Sequence, residues 1–165
     1  MDNFTEKEFE EIYNFIKSKL IIDKEVCNEQ IVYVLGGQPG AGKSTLTSRI
    51  EEKMKNNIIA INGDDFRSYH PKYKNLVKAY GDDSVLYTQK FSNAITEKLI
   101  EDLGNEKYNL IVEGTLRTTE APLKTSKLLH SKGYSTNLNI VCVKPEFSYL
   151  GTLERYQEMK KNGLI

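Results

Sequence analysis

Phosphoryl chemistry needs a phosphate cradle, a metal, a proton acceptor and cations for the developing charge, and this chain has residues of those types at spacings that could supply them. Gly37-Gln38-Pro39-Gly40-Ala41-Gly42-Lys43-Ser44 spells G-x-x-x-x-G-K-[ST], the pattern of a phosphate-binding loop. Glycines let such a loop turn at positive φ and bring backbone N–H groups close to an anion. A helix that starts at the loop adds its unpaired N–H groups and the positive end of its dipole. Lys43 can then reach the outer phosphates, and the Ser44 hydroxyl can ligate Mg²⁺. Residues Gly37 to Ser44, with Thr45 after them, form the candidate set for a nucleoside triphosphate.

Two carboxylates end apolar runs, where ligands of open α/β sheets bind. Asp64 follows the run 58–61 and is placed to act as general base, although Asp64-Asp65 also suits a helix cap. Glu113 follows the run 110–112, where an acidic side chain can orient Mg²⁺ or its water; the other reading is a solvated strand end. Thr115 and Arg117 continue the same loop and could hydrogen-bond a substrate. By spacing alone Arg155 is a surface charge. His70 and His130 have no ligand spacing and read as structural or exposed, and Tyr69, Tyr73 and Tyr80 read as packing residues.

The elements that must hold these residues alternate between strand and helix. Thr5 and Glu8 make a capping box for a helix with Phe9, Ile12, Ile16 and Leu20 on one face, and that stripe is expected to dock on a sheet. Strands are expected at 31–35, 58–61, 109–112 and 137–143. Helices are expected at 45–55, at about 82–103 with Gly104 as C-terminal cap, at 119–132, and from Pro145 to about 160. Two short helices broken at Pro71 fill 67–80. Such alternation means a parallel sheet with right-handed crossovers. The fold class is therefore α/β, a single P-loop kinase-like three-layer α/β/α domain over 1–165.

The chain has 165 residues with 23 basic and 23 acidic side chains. That neutral balance argues against a nucleic-acid partner. The two cysteines, Cys27 and Cys142, show no metal-site spacing and suit a reducing cytoplasm. No run is long enough to span a membrane, and the acidic start does not resemble a signal peptide.

Four blocks together resemble the zeta toxins of bacterial epsilon/zeta-type toxin–antitoxin pairs. They are Gly36 to Ser44; Gly63-Asp64-Asp65-Phe66-Arg67-Ser68-Tyr69-His70-Pro71; Ile111-Val112-Glu113-Gly114-Thr115-Leu116-Arg117-Thr118-Thr119; and Ser148-Tyr149-Leu150-Gly151-Thr152-Leu153-Glu154-Arg155-Tyr156. The resemblance covers about Ile31 to Met159. It implies an ATP- and Mg²⁺-dependent kinase of the 3′-hydroxyl of UDP-N-acetylglucosamine, which blocks peptidoglycan precursor synthesis, and a cognate small helical antitoxin as partner. By matching position, Lys43 and Ser44 would hold ATP phosphates and Mg²⁺, and Asp64 would be the base. Glu97, Glu113, Thr115, Arg117 and Thr125 would contact the acceptor, and Arg155 becomes a catalytic phosphate clamp. The family continues past the Arg155 helix with a second phosphate-binding arginine, a further strand and helices. A chain ending at Ile165 is thus expected to lack the C-terminal part of the family fold. Two other readings stay open: a weakly active or inactive module that binds nucleotide or antitoxin, and a P-loop kinase of another small acceptor.

Overall fold

A computed structural model describes residues 4–116 and 118–161. Its centre is a four-stranded, all-parallel sheet in the order β2-β3-β1-β4, formed by β1 (Ile31–Gly37), β2 (Ile59–Asn62), β3 (Leu110–Glu113) and β4 (Ser135–Val141). Around it lie α1 (Glu6–Leu20), α2 (Lys43–Lys53), α3 (Tyr73–Tyr80), α4 (Ser84–Asn105), α5 (Glu120–Ser131) and α6 (Pro145–Lys161). Two 3-10 segments, Gly63–Tyr69 and Gly81–Asp83, fill the connections around α3.

The chain leaves β1 for the β2 edge and then returns in two steps toward β4. Right-handed crossovers send helices of opposite travel to opposite faces, and the two cores follow that rule. Val32 and Val34 of β1 pack with Phe91, Ile95, Leu99 and Leu103 of α4 and with Leu129 of α5. Tyr33 and Leu35 point the other way and pack with Ile50 of α2, Ile58 and Ile111. Alternation along one strand thus builds both faces of a three-layer domain.

The capping box at Thr5 forms as expected: the Thr5 hydroxyl accepts from Glu8 N and the Glu8 carboxylate accepts from Thr5 N. The stripe of α1 meets α4 more than the sheet. Tyr13 donates to Asp102 at 2.5 Å, and Lys98 reaches Glu10 at 3.1 Å. Gly104 does not cap α4, which runs on to Asn105 and stops where Lys107 takes a left-handed φ of 70°. A Cβ on Gly104 would sit 2.8 Å from Leu129 Cδ2, so the glycine serves the approach of α5. Strand β4 begins two residues earlier than its apolar run, because Ser135 N pairs with Gln30 O before the side chains turn apolar. Among the described residues no helix is long and apolar enough to cross a membrane.

Candidate active site

The phosphate loop leaves the buried end of β1 and enters α2 directly. Gly40 and Gly42 have φ of 70° and 87°, values that cost an L side chain about 1–2 kcal/mol each. Helix α2 already begins at Lys43, so Lys43 and Ser44 stand in its first turn with their N–H groups unpaired by the helix. Lys43 Nζ donates to the carbonyls of Gly37 and Gln38 at 2.9 and 3.0 Å. Nothing stands within 4 Å of where a Cβ on Gly42 would be, which leaves an open cradle in front of the helix N-terminus.

Helix α6 is seated on this loop. The Ser148 hydroxyl donates to Pro39 O at 2.7 Å. A Cβ on Gly151 would stand 2.4 Å from Gly40 O, so only glycine permits that approach. Gly151 and Arg155 are four residues apart and share a helix face. Docking at Gly151 therefore carries Arg155 to the cleft it lines with Lys43, Ser44, Asp64 and Glu113, a space of about 1260 Å³.

The acidic residues come from neighbouring strand ends. Glu113 ends β3 between Leu35 of β1 and Asn62 of β2, and its Oε1 accepts from the buried Thr47 hydroxyl of α2. Asn62, not Asp64, caps the 3-10 segment by accepting from Asp64 N at 3.1 Å. That frees the Asp64 carboxylate, which pairs with Arg67 Nε at 2.9 Å. Arg67 is itself held by Val85 O at 3.0 Å. Asp65 lines the same cleft under different forces. Burial, then the Glu113 carboxylate, then Asp64 push its carboxyl above the usual range, against the pull of Arg155.

A second pocket of about 500 Å³ adjoins the cleft and shares Gln89, Asn93, Glu113, Gly114 and Thr115 with it. Glu97 and Thr125 line only this pocket. Glu97 is paired with Lys124 at 3.4 Å, and both side chains are exposed. The loop after β3 is fastened by Leu116, which has a φ of 49° and whose side chain occupies the space a Cβ on Gly36 would need.

Of the residues singled out in the sequence, Pro39, Gly40, Gly42, Lys43, Ser44, Asp64, Glu113, Thr115 and Arg155 line the main cleft. Gly37 and Gln38 instead bind Lys43 through their carbonyls, Ala41 is buried, and Thr45 lies exposed on α2 away from the cleft lining. Arg117 lies outside the described residues. Thr47 and Lys124 carry no motif signature. Ser148 and Gly151 fall within the block Ser148 to Tyr156 quoted above, but that block assigns a role to Arg155 alone, and only the three- and four-residue steps from Ser148 to Arg155 could have marked the other two.

Residues 19–163 match the Zeta toxin family. The chain belongs to that family. It is 43% identical over 157 residues to Toxin zeta of Streptococcus pyogenes, covering 95% of this chain and 55% of that one. Toxin PezT of Streptococcus pneumoniae serotype 4 is 42% identical over 159 residues, covering 96% and 63%. A chain from the solved PezAT chromosomal toxin–antitoxin system of Streptococcus pneumoniae superposes with a TM-score of 0.93 at 42% identity, covering 96% of this chain and 65% of its own. This zeta toxin chain therefore spans between half and two thirds of the length of these relatives. The superposition also establishes the three-layer P-loop kinase-like fold.

Proposed function

We propose that the chain forms the catalytic part of a toxin-type kinase that moves the ATP γ-phosphoryl group to the 3′-hydroxyl of UDP-N-acetylglucosamine. The observation that carries this reading is the pair of adjoining pockets: a phosphate loop faces one, and Glu113 and Thr115 face both. A donor and an acceptor can thus meet in line, which is most of what phosphoryl transfer asks of a protein.

The residues fit ATP and Mg²⁺. The open cradle at Gly42 and the first N–H groups of α2 suit a chain of phosphates. The Ser44 hydroxyl and the Glu113 carboxylate are the few oxygen donors that Mg²⁺ takes when phosphates and water complete its shell. When bound, Mg²⁺ supplies charge neutralisation on the phosphate oxygens.

The chain's own groups would act as follows. Lys43 exchanges the Gly37 and Gln38 carbonyls for phosphate oxygens, and Arg155 faces them from α6. Asp64 receives the proton of the acceptor hydroxyl as that oxygen bonds to phosphorus and the bond to the leaving ADP oxygen breaks. Arg67, anchored on Val85 O, holds the Asp64 carboxylate at the cleft. Glu97, Arg117 and Thr125 complete the acceptor contacts in this reading. A toxin of this kind works in the cytoplasm, where the precursor is made, and is held in check by a small helical antitoxin; toxin–antitoxin pairing is what the PezAT relative is described as.

The test is ADP release with UDP-N-acetylglucosamine as acceptor, with Lys43→Ala as control. Acceptor-dependent turnover that the control lacks supports the reading. ATP consumption unchanged by the acceptor, or by the substitution, sinks it.

A further inference from the structure

Helix α4 carries a polar row of which the chemistry above uses only Glu97. Gln89, Asn93, Glu97 and Glu101 follow at four-residue steps, which places them along one side of a 3.6-residue helix. All four line the acceptor pocket, and Gln89 and Asn93 also line the nucleotide cleft. The row therefore runs from the junction of the two pockets to the outer end of the smaller one. Its chemistry changes along the way, from neutral amides at the junction to carboxylates beyond, with Lys124 paired to Glu97.

Asn93 lines both pockets at that junction. Its side chain is exposed and makes no hydrogen bond to any described residue. The neighbouring Ser92 hydroxyl is buried, has no partner among the described residues, and faces Gly63 beside Asp64. Asparagine in mid-helix costs several tenths of a kcal/mol, on the order of 0.6, relative to alanine, and no side-chain hydrogen bond among the described residues offsets that here. An amide suits the place for a physical reason. A further carboxylate beside Asp64, Asp65 and Glu113 would repel incoming phosphate, whereas a neutral amide can both donate to and accept from an uncharged polar group.

We propose that Asn93 orients the acceptor. Its amide pairs with the hydroxyl or acyl-amide groups next to the reacting hydroxyl, and the Glu97 end of the row meets the remote part of the same molecule. The proposal rests on the reading of the smaller pocket as the acceptor site. A site that reads a polar group by hydrogen bonds discriminates strongly against analogues without it, so Asn93 would set acceptor choice rather than nucleotide affinity.

The experiment compares wild type, Asn93→Ala and Asn93→Asp by calorimetric titration with UDP-N-acetylglucosamine and with UDP-glucose, which lacks the acyl amide. ATP is titrated separately, and the melting temperature is recorded. Wild type should prefer the acylated sugar. Asn93→Ala should weaken its binding by about tenfold or more, the value of one lost hydrogen bond, and narrow the preference between the two sugars. ATP affinity should stay unchanged and the melting temperature should hold or rise slightly, since the side chain supports no packing and alanine is the better helix former. Asn93→Asp should bind the sugar no better than Asn93→Ala. Wild-type sugar affinity in Asn93→Ala, or an equal loss for ATP, would overturn the proposal while leaving the acceptor pocket intact. Failure of wild type to bind either sugar while binding ATP would remove the acceptor reading, and this inference with it.

Discussion

On the β1 side of the cleft the polar groups are already bonded to one another. Lys43 sits on the carbonyls of Gly37 and Gln38, Ser148 holds Pro39, and Thr47 holds Glu113. On the α4 side, Gln89 and Asn93 have no partners among the described residues, and the Glu97–Lys124 pair is exposed. An exposed pair contributes about 0–1 kcal/mol, so a ligand can displace it at little cost. In the function proposed above, the β1 side is thus preorganised for a group common to every nucleotide, while the other side keeps its hydrogen-bonding capacity for the acceptor. Preorganisation favours rate, and unfilled capacity favours choice.

The largest effect that could break this comparison comes from Asp64, which stands between the two sides. Asp64→Asn should lower acceptor turnover by about 10²–10⁴-fold with little change in ATP affinity, as expected for a general base. Single-turnover rates and ATP titration would check it. If Asp65→Asn is the more damaging change, the proton acceptor is the carboxylate facing Glu113 and Arg155, and the roles within the pair are exchanged.

The two sides were also unequally legible in the sequence. The phosphate loop is one contiguous stretch whose residues are specified by backbone geometry, so its pattern can be read without a fold. Four strands, their parallel pairing and the two carboxylates at strand ends followed from apolar runs. The docking of α6 did not, because Gly151 acquires its meaning only when Gly40 O lies 2.4 Å from its absent side chain. Gly104 resembles a helix stop for the same reason: a glycine near a helix end and a glycine at a helix crossing look alike in one dimension. Asn62 took the cap that Asp64 was a candidate for, since either residue type can cap and only the backbone decides between them. The amides of α4 carry no such mark, because an unpartnered side chain has no sequence signature.

Gly151→Ala tests whether the finished side depends on α6. Alanine is the better helix former by about 1 kcal/mol, so propensity alone predicts a more stable protein. The Gly40 contact predicts the reverse, because backbone must move away from the new Cβ. In wild type, Mg–ATP at a hundredfold excess over its Kd should raise the melting temperature by about 5–10 °C. Most of that rise should vanish in Gly151→Ala. A variant that is stabilised and still responds fully to Mg–ATP would show that α6 does not shape the loop.

Thr47→Val sharpens the comparison at its inner edge. The substitution keeps the shape and removes the hydroxyl that holds Glu113, an interaction of about 1.5–3 kcal/mol for a charged acceptor. The expected results are a modest drop in melting temperature and an apparent Mg²⁺ requirement raised by about tenfold, as for lost outer-shell support of a metal ligand. Acceptor affinity should fall by less, since Asn93 and Glu97, elsewhere on the pocket wall, are untouched. A change in sugar affinity as large as that for Mg²⁺ would mean that the two sides are coupled through Glu113.

The smallest effect is expected at Asp65, and its sign follows from proton linkage. Burial first, then Glu113 and Asp64, raise its carboxyl above the ordinary range, with Arg155 opposing. The folded protein therefore holds this proton more readily than the unfolded chain, whose value is about 3.9. Stability contributed at this position is greatest below that value, declines as pH rises through the higher folded value, and is level above it. Asp65→Asn removes the penalty of ionisation, so it should raise the melting temperature at neutral pH and make no difference in acid. Melting curves of both proteins between about pH 3 and pH 7 would show a gap that opens with pH. A gap that is constant, or that closes as pH rises, would mean that the carboxyl is not crowded by Glu113. Because the residue keeps much of its surface in solvent despite the crowding of its carboxyl, solvent keeps the gain small, and turnover should fall far less than in Asp64→Asn. A stabilised and nearly active Asp65→Asn would place this carboxylate with the finished side of the cleft, where charge is balanced for the nucleotide rather than spent on the proton.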